Sequence, residues 1–148
     1  MDFLEIADRT WPVIRRVTSV HTTLYRATNG RLGHHVPGAP AMLLLDHVGA
    51  RTGARRTTPL VYTTDGDNLV IVASKGGHPQ HPAWYHNLRA HPDTIVQLGD
   101  ERRAVRARVA EPIERARLWP LVVRTYAGFE TYQKRTGREI PLVVLERR

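Results

Sequence analysis

The sequence predicts an α+β fold that is mainly β: an antiparallel sheet that curls into a small barrel, with helices packed outside it. Short apolar or alternating runs follow one another at tight turns rich in Gly and Asp, a pattern typical of hairpins. Only one helical stretch separates the third strand from the fourth, so most neighbouring strands are expected to run antiparallel. The 148 residues suit a single domain, 1–148, in which residues 1–30 form an N-terminal helical segment.

The N-terminal segment predicts an amphipathic helix from Trp11 to Thr28. Thr10 and Pro12 mark its start, and Asn29-Gly30 marks its end. Its apolar positions recur every three or four residues, at Val13, Val17, Val20 and Leu24. We expect this face to pack on the barrel. A second expectation is peripheral contact with a membrane surface, because arginines stand opposite the apolar face at Arg15, Arg16 and Arg26.

The strands are predicted from apolar content and from the turns between them. An exposed connector without any period precedes them at residues 33–40, which include His34, His35, Pro37 and Gly38. The expected strands are residues 42–48, 57–64, a run that starts at Leu69, 94–98, 103–109 and 140–145. In the run 103–109, Val105, Ala107 and Val109 alternate with arginines, which predicts one buried face and one basic face. A helical stretch that starts at Glu111-Pro112 is expected to kink or split near Pro120 and Gly128.

Composition limits the chemistry that the chain can perform. Twenty-two Lys and Arg against fourteen Asp and Glu give a net charge of +8, which favours polyanionic partners. The absence of cysteine excludes a disulfide framework, a thiolate nucleophile and a Cys-ligated metal centre, and it suits a cytoplasmic protein. No hydrolase motif, Walker loop, dinucleotide fingerprint or carboxylate pair is present. A cofactor that brings its own reactivity fits such a chain best.

Two basic turns form the candidate binding site. One is the loop around Gly53, whose arginines Arg51, Arg55 and Arg56 can each hold a phosphate or carboxylate through two hydrogen bonds. The other follows the run that starts at Leu69, where Gly76 and Gly77 let backbone N–H groups approach an anion and Lys75 adds a positive charge. Pro82 then opens a short helix. We expect a flat, anionic ligand between the two turns.

Aromatic and polar residues around these turns have competing interpretations. Tyr126, Phe129 and Tyr132 recur at three-residue spacing, which is typical of core packing but also suits the wall of a flat ligand beside Gly128. Trp84 and Leu88 predict a buried helix face, and Asn87 with Arg89 is expected to orient a neighbouring loop. Three histidines, His78, His81 and His86, lie within nine residues. Prolines interrupt their spacing and no acid completes a shell, so we expect these histidines to cap, to pair or to lie in solvent rather than to bind a metal.

Three segments together resemble the deazaflavin-dependent nitroreductase family, whose members use coenzyme F420. They are Gly49-Ala-Arg-Thr-Gly-Ala-Arg-Arg-Thr-Thr-Pro-Leu60, the stretch from Ala73-Ser-Lys-Gly-Gly77 through His81-Pro-Ala-Trp-Tyr-His-Asn-Leu-Arg-Ala-His-Pro92, and Tyr132-Gln-Lys-Arg-Thr-Gly-Arg-Glu-Ile-Pro141. The resemblance spans residues 43–145, and the three motifs in order are far more specific than any one of them. It implies a split β-barrel that binds reduced coenzyme F420 and passes a hydride to a quinone, a nitroaromatic or an activated enone.

The resemblance also implies roles for individual residues. Cofactor contacts fall on Arg51, Thr52, Arg55, Arg56, Thr58, Pro59, Ala73, Ser74, Lys75, Gly76, Gly77 and Trp84, with the arginines holding the phosphate and the oligoglutamate tail. The residues that face the acceptor are Tyr126, Phe129 and Tyr132. The proton donor is left open among Tyr126, Tyr132, Ser74 and water. Phe129 stands where relatives often carry a tyrosine, so no acceptor preference that depends on a phenol is expected there.

Two alternatives to an F420H2-dependent reductase remain at this point. A split barrel of the same kind that binds FMN would be yellow when purified. A non-catalytic basic module would bind nucleic acid or anionic lipid through Arg102, Arg103, Arg106 and Arg108, with steep salt dependence. The favoured interpretation is a monomer or homodimer that acts on a small-molecule acceptor, binds no nucleic acid or metal, and is cytoplasmic, in part at the inner face of the cell membrane.

Overall fold

The computed structural model describes residues 3–28, 30, 33, 34 and 39–148, with the backbone only for residues 3–12. In this described part of the chain, four α-helices lie around six strands. The helices are α1 (Phe3–Ala27), α2 (Ala83–Ala90), α3 (Pro112–Thr125) and α4 (Gly128–Arg135). The strands are β1 (Met42–Val48), β2 (Arg55–Asp65), β3 (Asn68–Val72), β4 (Asp93–Leu98), β5 (Glu101–Val109) and β6 (Leu142–Arg147). All pairs are antiparallel and the sheet closes in the order β1-β2-β3-β6-β5-β4, which confirms the predicted barrel.

The hairpins form where the turn residues predict them. Asp65 pairs with Asn68 and Leu98 with Glu101, so each turn has two residues, and the first residue of each is a glycine with φ of +60°. The last strand begins at Leu142 rather than at Ile140, because Pro141 has no N–H to contribute to a ladder. Closure of the barrel is narrow: β1 and β4 pair only through Leu44 with Gln97 and Leu45 with Val96.

Two apolar clusters lie on the two faces of the barrel wall. One contains Leu69, Ile71, Val143 and Leu145 and receives Trp84, Tyr85 and Leu88 from α2. The other contains the alternate residues of the same strands, Val70, Val72, Leu142 and Val144, and packs against α3 and α4 through Leu118, Val122 and Phe129. Successive side chains of a strand point to opposite faces, so these strands are apolar on both sides and read as continuous apolar runs. Val109 of β5, expected in the core, is 39% exposed near the end of its strand.

Helix α1 differs most from its prediction. It begins at Phe3, well before the start signals at Thr10 and Pro12, whereas the stop at Asn29 lies outside the described residues. Its apolar face does not pack on the barrel, because Val13, Val17, Val20 and Leu24 are 45 to 64% exposed. The opposite face docks instead. The fully buried Tyr25 hydroxyl lies 2.7 Å from the backbone nitrogen of Gly99, and Arg26 pairs with Asp46.

The connector before β1 is only partly described. His35, Pro37 and Gly38 lie outside the described residues. His34, expected to be exposed, is half-buried, since its Nδ1 lies 2.7 Å from the Tyr25 hydroxyl and its ring contacts Tyr62. In the C-terminal half, Pro120 lies inside a continuous α3, and the predicted split occurs between Tyr126 and Gly128.

Candidate functional site

The turn after β3 has an uncommon backbone. Lys75, Gly76 and Gly77 have φ angles of +46°, +62° and +83°, so three successive residues are left-handed. Such a φ is strained for lysine and costs about 1 kcal/mol or more. The turn is closed by the N–H of Gly77, which donates to the carbonyl of Ser74 at 2.9 Å. Residues 73–77 are called the glycine turn below.

Gly77 serves a purpose that the sequence did not indicate. Its N–H is used inside the glycine turn, whereas the expectation was that both glycines present N–H groups to an anion. A Cβ at this position would lie 2.6 Å from the carbonyl oxygen of Tyr132, so only glycine allows α4 to approach this closely. The turn is therefore packed tightly against α4.

The Arg138 guanidinium holds the glycine turn through hydrogen bonds to backbone carbonyls. Its Nε donates to the carbonyl of His78 at 2.9 Å, and its two terminal nitrogens donate to the carbonyls of Ser74 and Ala73 at 2.8 and 3.2 Å. The nearby His81 ring nitrogen lies 3.2 Å away, and burial lowers the pKa of the guanidinium. One rigid fork thus fixes three carbonyls on both sides of the strained residues. Sequence reasoning missed Arg138 as a functional residue, although it lies within the third motif.

A first cavity, of about 490 Å³, lies between α1, β2 and the start of α2. It receives three cations, Arg15, Arg56 and Lys75, and a flat apolar surface from Pro59, Ala83 and Trp84. Its α1 wall carries hydroxyls at Thr18, Ser19, Thr22 and Thr23. The Thr22 oxygen is buried and has no hydrogen-bond partner among the described residues. Such an orphaned hydroxyl suits a site whose ligand supplies the missing partner.

A second cavity, of about 550 Å³, adjoins the first and shares the lining residues His47, Arg56 and Thr57 with it. It opens where β1 and β4 part, beyond their last paired residues, and is lined there by Asp46, His47, Val48, Asp93, Thr94 and Ile95. Its arginines are Arg26, Arg55, Arg56, Arg102 and Arg148, against two aspartates. The surplus of guanidinium groups makes this cavity suitable for carboxylate or phosphate.

The structure brings half of the twelve predicted cofactor contacts to these cavities. Arg56, Thr58, Pro59, Lys75 and Trp84 line the first cavity, and Arg55 lines the second. Ala73 and Ser74 are buried in the glycine turn, next to Lys75. Arg51 and Thr52 lie outside both cavities at the exposed loop tip, where the Thr52 hydroxyl accepts the N–H of Ala54. The two basic turns therefore meet through Arg56 and Lys75.

The aromatic residues form a cluster beside the glycine turn. Tyr126 directly follows α3, whereas Phe129 and Tyr132 belong to α4, and the three ring centroids lie 5.1 to 6.3 Å apart. The space beside Gly128, expected to receive a ligand, is filled by the Tyr126 ring. The hydroxyls of Tyr126 and Tyr132 are 3.2 Å apart, and burial together with this hydrogen bond raises the pKa of Tyr132 to about 12. Tyr132 therefore keeps its proton at neutral pH.

Asn87 and two of the histidines behave as expected, whereas Arg89 lies over the Tyr85 ring instead of contacting a loop. The Asn87 side-chain oxygen accepts the N–H of Ala50 at 2.9 Å, which confirms that Asn87 orients the neighbouring loop. His78 accepts the N–H of Gln80, and His81 contacts the Arg138 guanidinium, so these two histidines cap and pair. Trp84 is 5% exposed within the barrel core, as its spacing predicts, and still reaches the first cavity.

The arginines of β5 do not form an open basic patch. Arg103 pairs with Glu101, Arg106 with Asp93 and Arg102 with Asp46. Arg108 makes ion pairs with both Glu114 and Glu146, and these hydrogen bonds lower the pKa of Glu114. Acidic partners thus offset the charge on which a nucleic-acid interface would depend.

Comparison with known proteins agrees with this geometry. A family model described as F420H(2)-dependent quinone reductase matches residues 17–147. An F420H(2)-dependent quinone reductase of Mycobacterium tuberculosis (strain H37Rv) is 51% identical over 132 residues, which cover 87% of this chain and 89% of that protein. A solved F420-H2-dependent reductase (FDR-A) superposes with a TM-score of 0.66 at 39% identity, covering 71% of this chain and 93% of that one. A structure described as a domain-swapped dimer has a TM-score of 0.69 at 35% identity, covering 91% and 98%.

Proposed function

The chain belongs to the family of F420H2-dependent quinone reductases, and from this premise we propose that it transfers a hydride from reduced coenzyme F420 to a quinone. One observation of the structure carries the proposal. Arg56 and Lys75, from two separate basic turns, line one cavity, and a second, arginine-rich cavity lies beside it. The FMN alternative is not retained, because the family and the relatives are named for F420H2.

The two cavities suit the two ends of this cofactor. Coenzyme F420 consists of a flat tricyclic ring, a phosphodiester and an oligoglutamate tail. We assign the ring and phosphodiester to the first cavity, where Pro59 and Trp84 offer flat apolar surface and Arg56 and Lys75 offer charge. We assign the carboxylates of the tail to the second cavity. Neither Arg55 nor Arg56 has a carboxylate within 4 Å among the side chains that the structure describes.

The bound cofactor supplies the hydride, and the protein aligns it with the acceptor. Arg138 fixes the backbone of the glycine turn through three carbonyls, so the turn would need little reorganisation when the cofactor is bound. Lys75, held in its strained conformation, places its charge in the first cavity. The linked hydroxyls of Tyr126 and Tyr132 and the buried Ser74 remain the candidate proton donors and catalytic residues. Arg51 and Thr52 stay predicted contacts of a longer tail.

A titration with F420 tests the proposal. The purified protein should bind F420 at low ionic strength and oxidise F420H2 when menadione is added, which restores the visible absorbance of the oxidised cofactor. Arg56→Ala and Lys75→Ala should each weaken binding about tenfold or more, since each removes a hydrogen bond to a charged group. Arg124→Ala, an exposed arginine of α3, is the matched control and should bind normally. Absence of binding by the unmodified protein at low salt would refute the proposal.

We also propose that the exposed face of α1 rests on a membrane surface at the inner side of the cell membrane, where lipophilic quinones are found. Val13, Val17 and Val20 are each at least 60% exposed, and Arg16 of the same helix is exposed as well. Within the described part of the chain, no helix has the length and hydrophobicity needed to span a bilayer, so the contact would be peripheral.

Vesicle flotation distinguishes membrane contact from self-association through the same face. The protein should float with vesicles that contain anionic lipid, and Val17→Asp with Val20→Asp should abolish flotation. A second copy of the chain is the alternative partner for this face, because one similar structure is described as a domain-swapped dimer. Membrane contact would be refuted if the unmodified protein did not bind vesicles. If the same two substitutions also converted a dimer into a monomer, the exposed face of α1 would be a dimer interface instead.

A further inference from the structure

His47 is the middle member of a hydrogen-bonded chain between Asn87 and Thr58. The side chain is 5% exposed, although it belongs to the lining of both cavities. Its Nδ1 lies 2.9 Å from the Asn87 side-chain nitrogen, and its Nε2 lies 2.8 Å from the Thr58 hydroxyl oxygen. Both ring nitrogens therefore have a partner, one on α2 and one on β2.

The direction of each hydrogen bond follows from a backbone group. The N–H of Ala50 donates to the Asn87 side-chain oxygen, so the nitrogen of that amide is the atom that faces His47. An amide nitrogen only donates, so His47 Nδ1 must accept. The ring proton is then on Nε2, which donates to Thr58. A backbone donor on the loop after β1 thus determines the tautomer of a histidine on β1.

The same logic determines the direction of the Thr58 hydroxyl. A hydroxyl has a single proton, and its oxygen already accepts from His47. The Thr58 side chain lines the first cavity, where we assign the ring and phosphodiester of the cofactor. We infer that His47 is a positioning residue. Because His47 donates to the Thr58 oxygen, the Thr58 hydroxyl donates its own proton to an acceptor atom of the cofactor. This inference rests on the proposed function.

The surroundings keep His47 neutral, as this arrangement requires. Burial, helped by the charge of Arg56 on β2 and opposed by Asp46 on β1, lowers the pKa of His47 to about 4. The neighbouring elements also bring charged groups to the two cavities, namely Arg15 and Arg26 on α1, Lys75 in the glycine turn, Asp93 on β4, Arg102 on β5, Arg55 on β2 and Arg148 at the C-terminus. Most of them are cationic and disfavour a second proton on the ring. A protonated Nδ1 would also face the amide hydrogens of Asn87.

Direct binding of F420 by variants tests the inference. Thr58→Val should weaken affinity about 10- to 100-fold, the value of a hydrogen bond to a charged group, whereas Thr58→Ser should stay within about threefold of the unmodified protein. Thr63→Val is the matched control on the same strand, because the Thr63 hydroxyl donates to Thr125, and its affinity should not change. His47→Leu should approach the loss of Thr58→Val, and the double variant should lose no more than Thr58→Val alone.

Two further measurements keep the outcome decisive. His47→Gln, which retains a donor toward Thr58, should recover most of the affinity that His47→Leu loses, and it serves as well if the leucine variant folds poorly. Nitrogen NMR of the cofactor-free protein should show His47 protonated on Nε2 alone at pH 7. Protonation on Nδ1, or equal affinity of Thr58→Val and the unmodified protein, would overturn the inference. Failure of the unmodified protein to bind F420 would instead refute the proposed function and leave the NMR result intact.

Discussion

Replacing Arg138 tests whether one side chain holds the glycine turn. Arg138→Met removes three hydrogen bonds from a charged donor to the carbonyls of Ala73, Ser74 and His78. A hydrogen bond to a charged group contributes about 1.5–3 kcal/mol, and the partial exposure of Arg138 reduces this, so a total loss of about 2–4 kcal/mol is expected. For a chain of this size that loss lowers Tm by roughly 5–12 °C.

Urea unfolding and thermal melts of the cofactor-free protein measure the effect. Arg138→Lys should recover only part of the loss, because an ammonium group cannot reach three separated carbonyls as a planar fork does. Arg89→Met is the matched control, since Arg89 is exposed and lies over the Tyr85 ring, and its unfolding free energy should change by less than about 0.5 kcal/mol. An Arg138→Met variant as stable as the control would refute the clamp.

Three further changes have expected outcomes. Thr22→Val removes a buried hydroxyl without a hydrogen-bond partner, so it should raise the free energy of unfolding in urea by about 1 kcal/mol and weaken F420 binding. Thr23→Val should not stabilise the protein, because the Thr23 hydroxyl donates to a backbone carbonyl. Lys75→Asn should stabilise the cofactor-free protein by about 0.5–1 kcal/mol, because asparagine tolerates a left-handed φ; unchanged melts would show that the turn is unstrained. The hydrogen bond from Arg117 lowers the pKa of Asp65. The unmodified protein should therefore be more stable than Asp65→Asn above the ordinary carboxyl pKa, and this difference should vanish as the pH falls through the lowered pKa. A difference in urea unfolding that does not depend on pH would contradict this.

The barrel was predictable because its signals are local. Two-residue turns at Gly66-Asp67 and Gly99-Asp100 fix hairpins regardless of the rest of the chain. The placement of β6 between β3 and β5 was not predictable, since nothing in a single strand states its distant neighbours. The apolar face of α1 was read correctly as apolar and wrongly as buried, because periodicity shows that a helix has two faces and does not show which one meets the barrel.

The candidate site divides in the same way. Arg56 and Lys75 were predictable as cations in or next to glycine-containing turns, which are chemical signals that the sequence carries directly. Arg138 and His47 were not predictable, because their importance comes from hydrogen bonds to distant residues. The partners of Arg138 lie 57 to 65 residues away along the chain, and those of His47 lie 11 to 40 residues away. The space expected beside Gly128 was not predictable as filled for a related reason: the glycine leaves room, and the Tyr126 ring, which the sequence does not place, occupies it.

The short ladder between β1 and β4 has a consequence for how this barrel can change. The next three residues on each strand, Asp46 to Val48 and Asp93 to Ile95, are those that would extend the ladder, and they form instead the rim of the second cavity. If β1 and β4 paired along their whole length, the protein would gain backbone hydrogen bonds and lose the second cavity, in which a charged ligand can bind. A guest that bridges the gap should in turn fasten the two strands together, so amide hydrogen exchange along this seam should slow when the cofactor binds.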